Sequence, residues 1–251
     1  MRQSILRCLM VAAILASMCG SASAETEWKD WYGALRLGYQ PYTLEVEGTF
    51  RGQNFDAEAD LSDIMDQFDT TIAGGELEIG TGRYFFLVGG FYQKTEIDEG
   101  QAVRDVVGEF KKTAINPMLG YRVYKAQLGG DQSVAVDLMA GAFYVKMEAD
   151  LTRPFIINED IDFVDPMVGA RVGYKFTKNW GVGASGEIGG FGVGSELQYV
   201  VAANLGYDIT HWLKVFGGYK YWYFKYEDDG APLSELEHTL HGPVLGVQFS
   251  F

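Results

Sequence analysis

Glu196-Leu197-Gln198-Tyr199-Val200-Val201-Ala202-Ala203-Asn204-Leu205-Gly206-Tyr207-Asp208-Ile209 is the stretch whose pattern decides the fold. Leu197, Tyr199, Val201, Ala203, Leu205, Tyr207 and Ile209 share one face. Glu196, Gln198, Asn204, Gly206 and Asp208 share the other, with only Val200 and Ala202 apolar among them. Successive side chains of a strand point to opposite sides, so alternation this strict predicts a strand whose faces meet different surroundings. Pro166 to Phe176 repeats it: Pro166, Val168, Ala170, Val172, Tyr174 and Phe176 oppose Gly169, Arg171, Gly173 and Lys175.

Working outward from these segments, alternation and turn signals together predict about ten strands. They fall near 31–47, 70–81, 83–95, 111–124, 133–148, 163–177, 180–190, 196–209, 212–226 and 238–251. Eight or twelve strands follow if one hairpin is miscounted. Short turns at Thr81-Gly82, Gly129-Gly130-Asp131, Lys178-Asn179 and Thr210-His211 alternate with longer links near 48–69, 96–110, 149–162 and 227–237. Within the first long link, Leu61, Ile64, Met65 and Phe68 recur at helical spacing, which predicts a short amphipathic helix there.

The N-terminus reads as an export signal. Arg2 and Arg7 precede the apolar run Leu9–Ala16, and Ala22-Ser23-Ala24 has the small-residue form of a cleavage site. The expected domains are therefore a cleaved signal over 1–24 and a barrel over 25–251. Both cysteines, Cys8 and Cys19, fall inside the signal, so the mature chain has no disulfide, thiol nucleophile or cysteine metal site. The formal charge of -14 becomes about -16 once Arg2 and Arg7 are removed, and such acidity argues against nucleic acid as a partner.

After the signal no apolar stretch reaches the roughly 18 residues of a spanning helix. Strands that are apolar on one side and polar on the other cross a bilayer only as a closed barrel, in which every backbone group is paired. Aromatics gather where the two interfaces of such a barrel would lie. Trp28, Trp31, Tyr121, Tyr124, Tyr174, Phe176, Trp180, Tyr207 and Trp212 belong to one end, and Tyr39, Tyr42, Tyr92, Tyr144, Tyr199, Tyr221 and Tyr223 to the other. The expected fold class is all-β, a transmembrane antiparallel up-and-down β-barrel.

Several motifs carry a resemblance: Asp60-Leu61-Ser62-Asp63-Ile64, Gly190-Phe191-Gly192-Val193-Gly194-Ser195-Glu196, Gly218-Tyr219-Lys220-Tyr221, His241-Gly242-Pro243-Val244-Leu245-Gly246 and the terminal Val247-Gln248-Phe249-Ser250-Phe251. Over most of the mature chain they resemble small porin-like bacterial outer-membrane proteins, loosely similar to the outer-membrane protein A and W barrels. The resemblance implies residence in the outer membrane of a Gram-negative cell envelope, contact with outer-membrane lipids and lipopolysaccharide, and insertion by the barrel-assembly machinery. It makes Val247, Phe249 and Phe251 an assembly signal, and it implies no catalytic set and no cofactor.

The same alternation sends Arg36, Glu76, Glu78, Arg122, Asp137, Arg171, Lys175, Glu187 and Lys220 into the lumen, with Asn204 and Lys214. Such charges either line a selective constriction or pair across a narrow interior and fill it, and filling is favoured because unpaired buried charge is costly. Acidic groups at Glu45–Asp69, Glu159–Asp165 and Glu227–Asp229 read as solvated outer loops rather than a calcium site. The expected function is a non-enzymatic barrel, either a porin-like small channel or a structural and surface protein. The alternatives are an adhesion or lipopolysaccharide- and partner-binding barrel, and an outer-rim lipid or peptide hydrolase built on His238 and His241 with Ser234 and Glu237. No metal site is expected, since two histidines supply too few nitrogen ligands for zinc.

Overall fold

Alternation becomes pairing in a single twelve-stranded antiparallel sheet. A computed structural model describes residues 31–50, 52–60, 69–97, 107–153, 157–228 and 233–251. The strands are β1 (Tyr32–Tyr39), β2 (Thr43–Phe50), β3 (Gln53–Asp60), β4 (Asp69–Thr81), β5 (Tyr84–Ile97), β6 (Val107–Gly129), β7 (Gln132–Arg153), β8 (Ile157–Lys175), β9 (Trp180–Gly190), β10 (Leu197–Asp208), β11 (Leu213–Glu227) and β12 (Leu233–Ser250). No helix occurs among the described residues, and the helix expected at Leu61–Phe68 lies outside them, as do Trp28 and the segment 1–24.

The order β1-β4-β5-β6-β7-β8-β9-β10-β11-β12 returns to β1, so ten strands close on themselves and leave no lipid-exposed edge in the spanning wall. β1 pairs with the lower part of β12, from Ala34 opposite Ser250 to Tyr39 opposite Leu245. After a break at Gln40-Pro41-Tyr42, β2 continues up the same strand, from Thr43 opposite His241 to Phe50 opposite Leu233. Pro41 has no N–H to give the ladder, which suits it to this interruption. β2 and β3 form a hairpin that extends the wall at one end.

That hairpin corrects the sequence reading, which made 48–69 a loop. Its carboxylates, Glu45, Glu47, Asp56 and Glu58, are exposed on paired strands rather than on irregular chain. Of the links expected at 96–110, 149–162 and 227–237, residues 96–97, 107–110, 149–153, 157–162, 227 and 233–237 are strand, and β6 and β7 reach 23 and 22 residues. A transmembrane strand needs about 9–11 residues, so these two stand far above any bilayer at the loop end.

At the turn end the seam is tied by reciprocal backbone bonds, Gly33 N to Phe251 O at 2.8 Å and Phe251 N to Gly33 O at 2.9 Å. The Phe251 ring lies so close over Gly33 that a Cβ there would meet it at 2.2 Å, so a larger residue would displace the ring from this seat. Val247, Phe249 and Phe251 face outward, while Gln248 between them is buried. Outward aromatics ring the turn end: Trp31, Tyr84, Tyr121, Tyr124, Trp180, Tyr207 and Trp212 are exposed, with Tyr84 on Tyr121 at 5.1 Å and Trp180 on Tyr207 at 4.9 Å. The loop-end group holds Tyr39, Tyr92, Tyr199, Tyr219 and Tyr221, with Tyr199 stacked between Tyr221 and Tyr223. Tyr42 does not join them. It is buried inside, donating from its hydroxyl to Gln93 Oε1 at 2.7 Å.

Candidate functional site: a lumen in two layers

In the lower half, toward the turn end, five strands send charge into the lumen. Arg36 on β1 donates from Nη1 to Glu76 Oε1 on β4, from Nη2 to Glu78 Oε2 at 2.9 Å and from Nε to Gln248 Oε1 at 3.0 Å. Arg171 on β8 donates to Glu78 Oε2 at 2.9 Å and to Asp137 Oδ2 on β7 at 2.8 Å and 3.0 Å. Arg122 on β6 completes the set with Nε to Asp137 Oδ1 at 2.7 Å and Nη2 to Oδ2 at 3.2 Å. Glu76, Arg36, Glu78, Arg171, Asp137 and Arg122 thus form one chain of alternating sign across the interior. Three guanidinium groups meet three carboxylates, and all six residues are buried.

The planar guanidinium fork makes this arrangement possible, since one arginine can serve two carboxylates at once. The Arg171 guanidinium also lies 4.8 Å from the centre of the Phe85 ring, and that ring in turn fills the space over Gly120. The remaining sequence-derived lumen residues stand apart from this chain. Lys175 pairs with Asp208 at 2.7 Å near the turn-end rim, where Lys214 also approaches Asp208 at 3.4 Å. Lys220 is buried higher up on β11. Glu187 on β9 keeps a buried Oε2 with no hydrogen-bond partner among the described residues, as does Asn116 Nδ2.

Ten residues further up, both on β6 from Arg122 to Lys112 and on β12 from Gln248 to His238, the interior changes character. That distance is about 33 Å along the strand, or about 25 Å of height at the usual barrel tilt. Starting four residues above Arg122, Met118, Phe143, Val145, Met147, Ile161, Phe163, Met167, Val200, Trp222, Phe224, Leu236 and Leu240 pack into one apolar cluster that rises to that level. Phe143 meets Trp222 at 5.3 Å, and Phe163 meets Phe224 edge-on at 5.4 Å. The alternation predicted which positions of these strands face inward, but nothing in the charge pattern marked an apolar layer. On β11, Tyr219-Lys220-Tyr221-Trp222-Tyr223-Phe224 is aromatic on both faces, so the period-two signal vanishes where the layer begins.

Two polar groups are set within the cluster. Lys112 Nζ lies 2.6 Å from His238 Nε2, and both residues are 2% exposed. The Lys112 ammonium also sits 4.2 Å from the centre of the Trp222 ring, and the His238 ring stacks on Phe224 at 4.8 Å. His241 faces the other way, toward Tyr219 Oη at 2.7 Å and Glu45 at 3.3 Å, because an odd spacing along a strand reverses the face. Ser234 Oγ donates to the Thr49 carbonyl at 3.4 Å.

A carboxylate that the sequence placed with the solvated acids is also internal. Asp165 is fully buried and accepts from Ser195 N at 2.7 Å and Ser195 Oγ at 2.5 Å. With its amide set to satisfy both neighbours, Gln198 donates to Asp165 Oδ2 at 2.5 Å and accepts from Trp222 Nε1 at 3.0 Å. The tight turn between β9 and β10, where Gly190, Phe191 and Gly192 have positive φ, is anchored to the lumen by this carboxylate. At the loop end, above the spanning region, ion pairs are exposed. Hydrogen bonds to Glu235 and Glu227 raise the Lys225 ammonium above the ordinary lysine range, and Lys111 and Lys94 hold Glu109 below the usual carboxylate range.

A family model described as the outer membrane protein beta-barrel domain matches residues 10–192. No curated protein matches the sequence. Among solved structures, the chain is similar to Neisserial surface protein A at 10% identity, covering 89% of this chain and 98% of that one with a TM-score of 0.38. The attachment invasion locus protein Ail of Yersinia pestis, solved with the heparin analogue sucrose octasulfate, is 12% identical over 89% of this chain and 100% of its own, with a TM-score of 0.36. The toluene transporter TodX of P. putida is 10% identical over 89% and 80%, with a TM-score of 0.30. Likenesses this distant carry no argument about function.

Proposed function

Because the chain belongs to the outer membrane protein beta-barrel domain family, we propose that it is a non-enzymatic barrel that works through its walls and loop end, not through an open pore. The observation that carries this reading is the chain of six buried charges from Glu76 to Arg122. It occupies the lower lumen with side chains already committed to one another. An ion entering there would have to separate pairs whose remaining members would be left buried and unpaired. The apolar layer above adds a second obstacle, since dry aliphatic and aromatic walls exclude hydrated ions.

The histidines support the non-enzymatic reading. His238 is engaged with Lys112 inside and His241 with Tyr219 and Glu45 outside, while Ser234 bonds to a backbone carbonyl. A nucleophile and base within hydrogen-bond reach are the minimum for a hydrolase of that type. In this reading residues 1–24 are a cleaved export signal, the outward Val247, Phe249 and Phe251 are read by the assembly machinery, and the tyrosine group around Tyr199 meets lipid and lipopolysaccharide headgroups.

The test is single-channel recording from mature protein refolded into a planar bilayer, with folding verified by heat-dependent gel mobility. Silence is the expected result. Reproducible charge-selective steps that change in Arg171→Gln would make the lumen a pore and overturn the proposal.

A further inference from the structure

The upper lumen contains a cavity of about 130 Å³ walled by Leu44, Val46, Met147, Ile161 and Leu240 among others, with Lys112 and His238 at its lining. Its third polar neighbour, Gln93, is spent internally: it accepts from Tyr42 and donates from Nε2 to Thr95 Oγ1 at 3.3 Å. Lys112 and His238 are not spent. When Lys112 is an ammonium it has donors only, and His238 Nε2 at 2.6 Å is the acceptor. The ring proton then sits on Nδ1, and this N–H is buried with no partner among the described residues. Lys112 has two further N–H donors, and its other close neighbours are the faces of Trp222 and Phe91, at 4.2 and 6.0 Å. Among the described residues no carboxylate lies within ion-pairing distance of Lys112.

This lining is rich in donors and lacks acceptors. A buried cation without a counter-ion is costly, and a buried donor without an acceptor adds to that cost. A carboxylate that takes the two remaining Lys112 donors meets the first deficit. The rest of the cavity asks for the opposite chemistry, since its walls are aliphatic and aromatic. A cavity of roughly 150 Å³ with such walls takes up benzene, so the body that fits here has on the order of six carbons.

We propose that this chamber binds a small apolar monocarboxylate, a ring or short chain of benzoate or hexanoate size, with its carboxylate against Lys112 and its body among Leu44, Val46, Met147 and Ile161. The site does not depend on whether the charge network below it conducts. Discrimination rests on charge: a neutral alcohol of the same shape fills the walls and accepts a hydrogen bond, but brings no counter-charge to Lys112.

Calorimetric titration of the refolded full-length mature protein in detergent, with benzoate, hexanoate and benzyl alcohol as probes, tests it. Benzoate and hexanoate are expected to bind at least tenfold more tightly than benzyl alcohol. Lys112→Met is expected to erase that preference while leaving benzyl alcohol binding within about twofold. Ala149→Leu, which fills the cavity from a wall position without touching either polar group, is expected to abolish binding of all three. Folding of each variant is read from its heat-dependent gel mobility. If Lys112→Met does not fold, Lys112→Gln is used in its place and is expected to weaken benzoate at least fivefold. Equal affinity for benzoate and benzyl alcohol, no binding by folded protein, or an unchanged preference in the folded polar variant would each overturn the proposal.

Discussion

The lower and upper halves of the lumen solve the same problem, filling a narrow barrel, with opposite chemistry. Below, Arg36, Arg122 and Arg171 are matched by Glu76, Glu78 and Asp137, and each charge has a partner inside the lumen. Above, dispersion contacts between Phe143, Trp222, Phe163 and Phe224 do the filling, and the cation in their midst has an imidazole and ring faces but no acid. Burial alone therefore does not say what a charged side chain is for. In the lower layer a charge is a structural element fixed by its neighbours, whereas in the upper layer it is an unmet demand.

Removing one charge from each layer gives the sharpest contrast. Glu78→Ala leaves both Arg36 and Arg171 short of a partner and is expected to destabilise the barrel by about 3–5 kcal/mol, read from urea unfolding in detergent. An unchanged midpoint would mean that water reaches the arginines, so that the lower lumen is wet. Asp165→Asn ranks next, at about 2 kcal/mol, because it weakens the hold on Ser195 and Gln198. Its effect should concentrate in faster hydrogen exchange of residues 190–196, and uniform acceleration along the chain would contradict the anchoring role. Lys112→Met should move stability the other way, with a gain of about 1 kcal/mol in ligand-free protein, since an unmatched buried charge is replaced by an apolar chain of similar length. A loss would show that Lys112 is matched after all, and the two layers would then differ less than their residues imply. Lys225→Met at the loop end should leave the unfolding midpoint unchanged, because exposed pairs with Glu227, Glu235 and Glu237 are screened.

The faces of the strands were legible wherever one side was polar, as on β10, where Gln198 and Asn204 point in and Tyr199 and Leu205 point out. Legibility failed for three physical reasons. Alternation gives the side of the wall but not the position around it, so the Arg36–Glu78–Arg171 chain, whose members lie 42 and 93 residues apart, could not be assembled from sequence. Where a segment is aromatic on both faces, as at Tyr221–Phe224, period two disappears, and the upper layer with Lys112 and His238 went unread. Strand extensions above the membrane carry carboxylates on their exposed side, as in β2 and β3, and solvated polar residues look like loop in sequence even when the backbone is fully paired. Asp165 belongs to the same class of misreading: it sits among surface acids in sequence, yet parity turns it inward.

The lower network has a mechanical consequence. A barrel wall is a hoop, and a hoop under sideways pressure flattens into an oval unless something braces it from within. Arg36 ties β1 to its neighbour β4, and Arg122 and Arg171 tie β6 and β8 to β7, while the Arg171–Glu78 pair crosses the hollow from β8 to β4 as a spoke does in a wheel. That spoke is short and directional and is held at both ends by pairs along the wall, so ovalising the cross-section along it would strain the linked chain. In the upper layer the cross-ties are single hydrogen bonds, Lys112 to His238 and Tyr42 to Gln93, set among contacts between rings and aliphatic chains that slide at little cost. Bilayer tension should therefore leave the lower hoop round and spend its work on the upper one, where the cavity beside Lys112 lies.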